Sequence, residues 1–116
     1  MALVKLEELP ELQIAEGILG RAVTAGSVTV FYAQLAGGAL LPEHSHHNEQ
    51  VVNVIEGELE LTVDGATFNL VPGKVMVLPP NAVHSGRAVS DCRVLDVFHP
   101  VREDFRGGSF GGYTEK

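Results

Sequence analysis

A chain of 116 residues with 45% hydrophobic content has room for one compact core and none for a second. Fifteen acidic against eight basic residues leave a formal charge of −7, which speaks against a phosphate-backbone partner, and no stretch approaches the ~20 apolar residues of a membrane span. The single Cys92 excludes an internal disulfide, and acidic residues stand where a signal peptide keeps its apolar centre, so the sequence predicts a soluble, cytoplasmic domain.

Residues 3–14 are the one place for a helical turn, and Pro10 limits it. From there the chain reads as short strands between turn signals. Residues 18–24 form a modest apolar run closed by Ala25-Gly26. Across 27–36, Val28, Val30 and Tyr32 alternate with Thr29, Phe31 and Ala33, and Gly37-Gly38 ends the run. Residues 50–55 are β-branched and precede Glu56-Gly57. In 58–63, Leu59, Leu61 and Val63 share one face. Asp64-Gly65 is then a strong hairpin signal, and 66–71 returns with Phe68 and Leu70 expected inward. Pro72-Gly73 leads into 74–78, Pro79-Pro80-Asn81 breaks that strand, and 84–89 and 92–98 complete the series. About eight short strands with regular turns predict an all-β sandwich or barrel. Residues 1–16 read as an N-terminal arm, 17–106 as the barrel, and 107–116 as a flexible Gly-rich tail in which Phe110 and Tyr113 are candidates for a lid.

Three of the five histidines lie in His44-Ser45-His46-His47. On an extended segment residues two apart point the same way, so His44 and His46 aim at one point while His47 faces outward. Counting on by two reaches Asn48 and then Gln50, and a bulge or turn would substitute Glu49 for Gln50. His84, just beyond the Pro-Pro-Asn break, is the remaining candidate. Neutral imidazoles beside an oxygen donor suit a divalent transition metal.

The frame around these residues resembles a known family. Gly38, five residues, His44, one residue, His46, three residues, Gln50, six residues and Gly57 is similar to the first cupin motif, with Gln50 in place of its usual Glu. Gly73, five residues, Pro79, Asn81, two residues and His84 resembles the second motif, with Asn81 replacing Gly and Ala88 replacing its final Asn. The resemblance implies a cupin jelly-roll barrel holding one divalent metal ion (zinc, nickel, manganese or iron) on His44, His46, Gln50 and His84. A neutral amide in place of a carboxylate leaves the cation's charge less compensated, which favours Lewis-acid over oxygen-activating chemistry.

In the last strand Val94, Asp96 and Phe98 share a face. A carboxylate inside an apolar strand is costly unless paired or functional: Asp96 is either an ion-pair partner of Arg93 or Arg102, or a proton-transfer group facing the barrel interior. The run from Leu95 to Phe105, Leu-Asp-Val-Phe-His-Pro-Val-Arg-Glu-Asp-Phe, resembles the C-terminal signature of KdgF-type pectin-degradation cupins, and Glu49-Gln50 resembles that group's metal motif. These proteins open the ring of unsaturated monouronates released by pectin or alginate lyases, giving linear keto acids. The resemblance implies catalytic roles for Asp96 and Arg102 and substrate contacts for Phe98 and Arg102. A metal-dependent cupin dioxygenase and a non-catalytic sugar-binding cupin are the alternatives. The expected partners are a small sugar acid and a second copy of the chain, with residues before Gly17 able to extend a neighbour's sheet; nucleic acid and membrane are not expected. Cys92 reads as a small buried hydrophobe, and Glu103 and Asp104 as a solvated rim.

Overall fold

The computed structural model describes residues 1–108; Phe110 and Tyr113, and most of the Gly-rich tail, lie outside the described residues. Ten strands follow a short 3-10 turn at Leu6–Glu8: β1 (Leu12–Ala15), β2 (Ile18–Thr24), β3 (Thr29–Leu35), β4 (Leu40–His44), β5 (Glu49–Glu56), β6 (Leu59–Val63), β7 (Ala66–Leu70), β8 (Val75–Leu78), β9 (His84–Ala88) and β10 (Cys92–His99). A second 3-10 element, Glu103–Gly108, ends the described chain. The strands form two antiparallel sheets, one in the order β1-β2-β3-β10-β5-β8 and the other β4-β9-β6-β7. They face each other as a jelly-roll barrel.

Period-two alternation decides which side chains enter the barrel. Phe31, Ala33 and Leu35 of β3, Val52 and Val54 of β5, Leu59 and Leu61 of β6, and Val94 and Phe98 of β10 are all buried in one core. Two local readings change. The 3–14 segment holds one 3-10 turn and then a strand, because Leu12 and Ile14 alternate with Gln13 and both enter the core. Phe68 pairs with Leu61 but sits on edge strand β7, where it remains 43% exposed while Leu70 is buried.

Two turn positions explain motif residues. Gly57 has φ +89°, and a Cβ there would lie 2.1 Å from the Asp91 carbonyl oxygen, so only glycine fits. Asn81, standing where the family motif has Gly, adopts φ 68°, a left-handed conformation Asn tolerates better than most residues. Its backbone N–H donates to the His46 carbonyl at 2.8 Å, tying this turn to the histidine segment.

The outer face of the six-stranded sheet is unusually apolar. Val30, Val97, Val51 and Val77 form one row across β3, β10, β5 and β8, and Tyr32, Leu95, Asn53 and Val75 form the next. Tyr32, Val75 and Val77 are more than a third exposed there. Among the described residues no helix is long and apolar enough to cross a membrane.

Candidate functional site

The β4–β9 pairing sets His44 directly opposite His84, after a register shift between Leu41 and His44. Their rings lie 4.1 Å apart between centroids, and His46, in the loop after β4, brings its ring to 5.6 Å from His44 and 5.1 Å from His84. One ring nitrogen from each falls within 4.8 Å of the others. The chain bends at His47 and Asn48, yet β5 starts so that Gln50 points inward and is buried while Glu49 is exposed. His47 and His99 are exposed.

The donor chemistry fits a cation. Nδ1 of His44, His46 and His84 faces the carbonyls of Pro42, Asn48 and Ala82 at 2.8, 3.1 and 2.9 Å. A neutral ring has one N–H, and these carbonyls assign it to Nδ1, leaving the Nε2 lone pairs to converge. The rings are neutral at pH 7. Burial lowers His44 to about 3, aided by the nearby imidazoles and Arg102 and opposed by the Pro42 carbonyl. Burial and Arg102 lower His46 to about 4, and burial also lowers His84. His46 Nε2 then meets Gln50 Oε1 at 3.1 Å, two acceptors facing each other. The buried His84 Nε2 has no hydrogen-bond partner among the described residues. A divalent ion held by His44, His46, His84 and Gln50 would resolve both features at once.

Asp96 and Gln50 meet because of register. In the β5–β10 pair, Gln50 stands opposite Phe98 and Val52 opposite Asp96, making Gln50 and Asp96 diagonal neighbours on the inner face. Gln50 Nε2 donates to Asp96 Oδ1 at 3.1 Å. Burial raises the Asp96 carboxyl to about 7, against the opposing pull of Gln50 and Arg102. The ion pairs go elsewhere: Arg93 pairs with Glu56 at 3.3 Å and Arg102 with Asp104. Asp96, Gln50, His84 and Phe98 line an interior cavity of about 50 Å³.

Arg102 is 4% exposed and packs on Phe98 and Phe105, two of the rings that line that cavity. Its backbone N–H donates to the Thr29 hydroxyl at 2.9 Å, and its guanidinium lies 4.8 Å from the Phe98 ring centre and 4.2 Å from that of Phe105. Asp104 accepts from Nε at 2.9 Å and from Nη2, a bidentate pair. Outside this lies a mouth pocket of about 280 Å³ lined by His44, His46, Asn48, Arg102 and Asp104 among others. Phe98 is 1% exposed and touches the His46 ring edge-on, so it supports both His46 and Arg102.

Three residues matter here beyond those singled out from sequence. Asn48, 1% exposed, donates through Nδ2 to the carbonyls of Pro100 and Val101 and so ties the histidine loop to the segment carrying Arg102. It shares the parity of His44, His46 and Gln50, as the spacing predicts. Phe105 is buried against Phe31 and Phe98. Asp104 is half-buried on Arg102, in contrast to the solvated rim expected for it, while Glu103 is exposed and pairs with Arg106.

A jelly roll with three imidazoles converging inside it defines a class, a small β-barrel whose interior can hold a divalent metal. Within that class the chain belongs to the cupin family: the Cupin domain model matches residues 31–98, more than half of the chain. Polyketide synthase CurC of Streptomyces cyaneus is 36% identical over 80 residues, 66% of this chain, and the chain spans about half of that relative's length, 52%. KdgF from Halomonas sp. superposes with a TM-score of 0.81 at 24% identity, covering 90% of this chain and 97% of that one. An RmlC-like cupin from Shewanella frigidimarina gives 0.82 at 26% identity, covering 90% and 96%.

Proposed function

We propose that the chain is a metal-dependent enzyme that opens the ring of unsaturated monouronates to linear keto acids. The observation that carries this reading is a carboxyl group, Asp96, held inside the barrel by Gln50 at 3.1 Å, together with a buried arginine, Arg102, at the mouth pocket. The mouth pocket, about 280 Å³, has room for one sugar ring. The Leu95-to-Phe105 signature supports the same substrate class.

A divalent ion on His44, His46, Gln50 and His84 would polarise a substrate oxygen. The chain's own residues do the rest. Asp96 takes the proton of the hemiacetal hydroxyl as the C1–O5 bond breaks, leaving an aldehyde at C1 and an enolate at C5. It returns that proton to C4 as the enolate becomes a ketone, so no proton is gained or lost overall. Arg102 orients the substrate carboxylate, and Phe98, packed under it, keeps the guanidinium in place. The test is to follow loss of the alkene's ultraviolet absorbance when metal-loaded protein meets lyase-derived unsaturated monouronate. Acceleration that disappears in Asp96→Asn supports the reading. No acceleration with metal bound overturns it in favour of a non-catalytic sugar-binding cupin.

In the same reading the chain pairs with a second copy through the outer face of its six-stranded sheet. Val75 and Val77 are 53% and 56% exposed there, apolar surface that supports pairing at this face. The neighbouring Arg93 and Glu56 neutralise each other at 3.3 Å. A chain of net charge −7 can therefore meet its own copy at this face without strong repulsion. Light scattering should show a dimer that Val77→Asp converts to a folded monomer. A monomeric wild type at tens of micromolar would overturn the pairing.

A further inference from the structure

We propose that Asp104 is a built-in competitor for the substrate's carboxylate: it occupies the binding edge of Arg102 and is displaced when an anionic ligand with additional anchoring groups enters the mouth. This rests on the reading of Arg102 as the group that orients a sugar acid. The Nε and Nη2 edge of a guanidinium accepts one carboxylate at a time in the bidentate arrangement, and Asp104 already holds it through both oxygens. Of the two partners, Arg102 is the fixed one. Its side chain is 4% exposed, its guanidinium is flanked by Phe98 and Phe105, and its backbone is tied to Thr29. The Asp104 side chain is 29% exposed and lines the same mouth pocket, so it has water to turn into.

Exchanging one carboxylate for another on the same fork is close to balanced, so a bare carboxylate gains little by displacing Asp104. A sugar acid gains more, because its hydroxyls reach the His44 and His46 side of the pocket at the same time. The internal pair thus discriminates against simple organic acids, which share the carboxylate but lack a second anchor.

The experiment compares zinc-loaded wild type with Asp104→Asn, using galacturonate, galactose and acetate as unreactive probes in calorimetric titration. The exposed Glu7→Gln, whose side chain is not part of the mouth pocket, serves as control. Removing the competitor should tighten galacturonate and acetate by about tenfold or more, the worth of a charge-assisted hydrogen bond, and leave galactose unchanged. A purely structural role for Asp104 would weaken all three or none. An unchanged or lower ratio of galacturonate to galactose affinity overturns the proposal. The wild type supplies a readout that does not depend on the variant's folding. The ¹⁵Nε–¹H resonance of Arg102 should shift with galacturonate and not with galactose, and no shift at saturation overturns the proposal. None of these probes is turned over, so failure of the ring-opening assay and failure of the competition are separately visible.

Discussion

Gln50 links His46 to Asp96: its Oε1 faces His46 Nε2 and its Nε2 donates to Asp96 Oδ1, each at 3.1 Å. One neutral side chain thereby couples the histidine cluster to the candidate acid–base group. The linkage follows from strand register, since Gln50 and Asp96 lie diagonally across the β5–β10 pair.

Asp96→Asn keeps an acceptor for Gln50 and nearly the same volume, so the fold and the metal content should be preserved. What disappears is the group that can exchange a proton. Ring opening should fall by about 10²- to 10⁴-fold, the range general acid–base catalysis supplies. The measurement is the single-turnover rate of alkene loss beside metal analysis of the same sample. A variant with full metal and an unchanged rate would remove Asp96 from the mechanism.

Much of this architecture is legible before folding because strands expose one side and bury the other. Leu59 and Leu61, or Val94, Asp96 and Phe98, declare a common face by spacing alone, and Asp64-Gly65 marks a hairpin whose two residues do adopt φ 48° and 85°. The edge strand β1 is less legible, since four residues with Pro10 close by carry little periodic signal. The Arg102–Asp104 pair is least legible. It joins residues two apart at the start of a 3-10 element, after the chain has turned back over Phe98, and neither strand nor helix periodicity predicts a side-chain contact at that spacing. Phe105 is hidden for the same reason, as its burial against Phe31 exists only once that reversal is made.

Metal removal should be visible in stability. Three imidazoles have their second nitrogen fixed on backbone carbonyls, so the folded chain holds its ligands in place before the ion arrives. Protein purified without chelators should contain about one divalent ion per chain, and chelation should lower the melting temperature. In His84→Ala the effect of chelator on melting should largely vanish, because a ligand and its fixed geometry are gone. Scanning calorimetry with and without chelator, with elemental analysis, decides this. Equal chelator sensitivity in His84→Ala would place the ion elsewhere.

Phe105→Ala tests the support that the last 3-10 element gives Arg102. The ring is 3% exposed and lies 4.7 Å from Phe31 and 5.7 Å from Phe98. Its loss should cost about 3–5 kcal/mol by creating a cavity, and should also loosen Arg102, which rests 4.2 Å above it. Urea unfolding gives the stability. A rise in KM for the uronate larger than that for Phe31→Ala would show that support of Arg102, and not core volume alone, is what the substrate senses.

The Asp104 carboxyl supplies a pH signature. Burial alone would raise it, but the Arg102 fork outweighs burial and leaves it below its ordinary value of 3.8. A carboxyl depressed in the folded state contributes its stability in full above the unfolded value and loses it as pH falls through the folded one. Wild type should therefore exceed Asp104→Asn by about 1–2 kcal/mol at pH 6, a figure kept small by the partial exposure of Asp104. The gap should narrow below pH 4 and close once Asp104 is protonated. Urea titrations of both proteins from pH 6 to pH 2, in metal-free buffer, measure it. A gap that is constant across that range would mean the pair contributes nothing to stability through its charge, and that the substitution acts through packing alone.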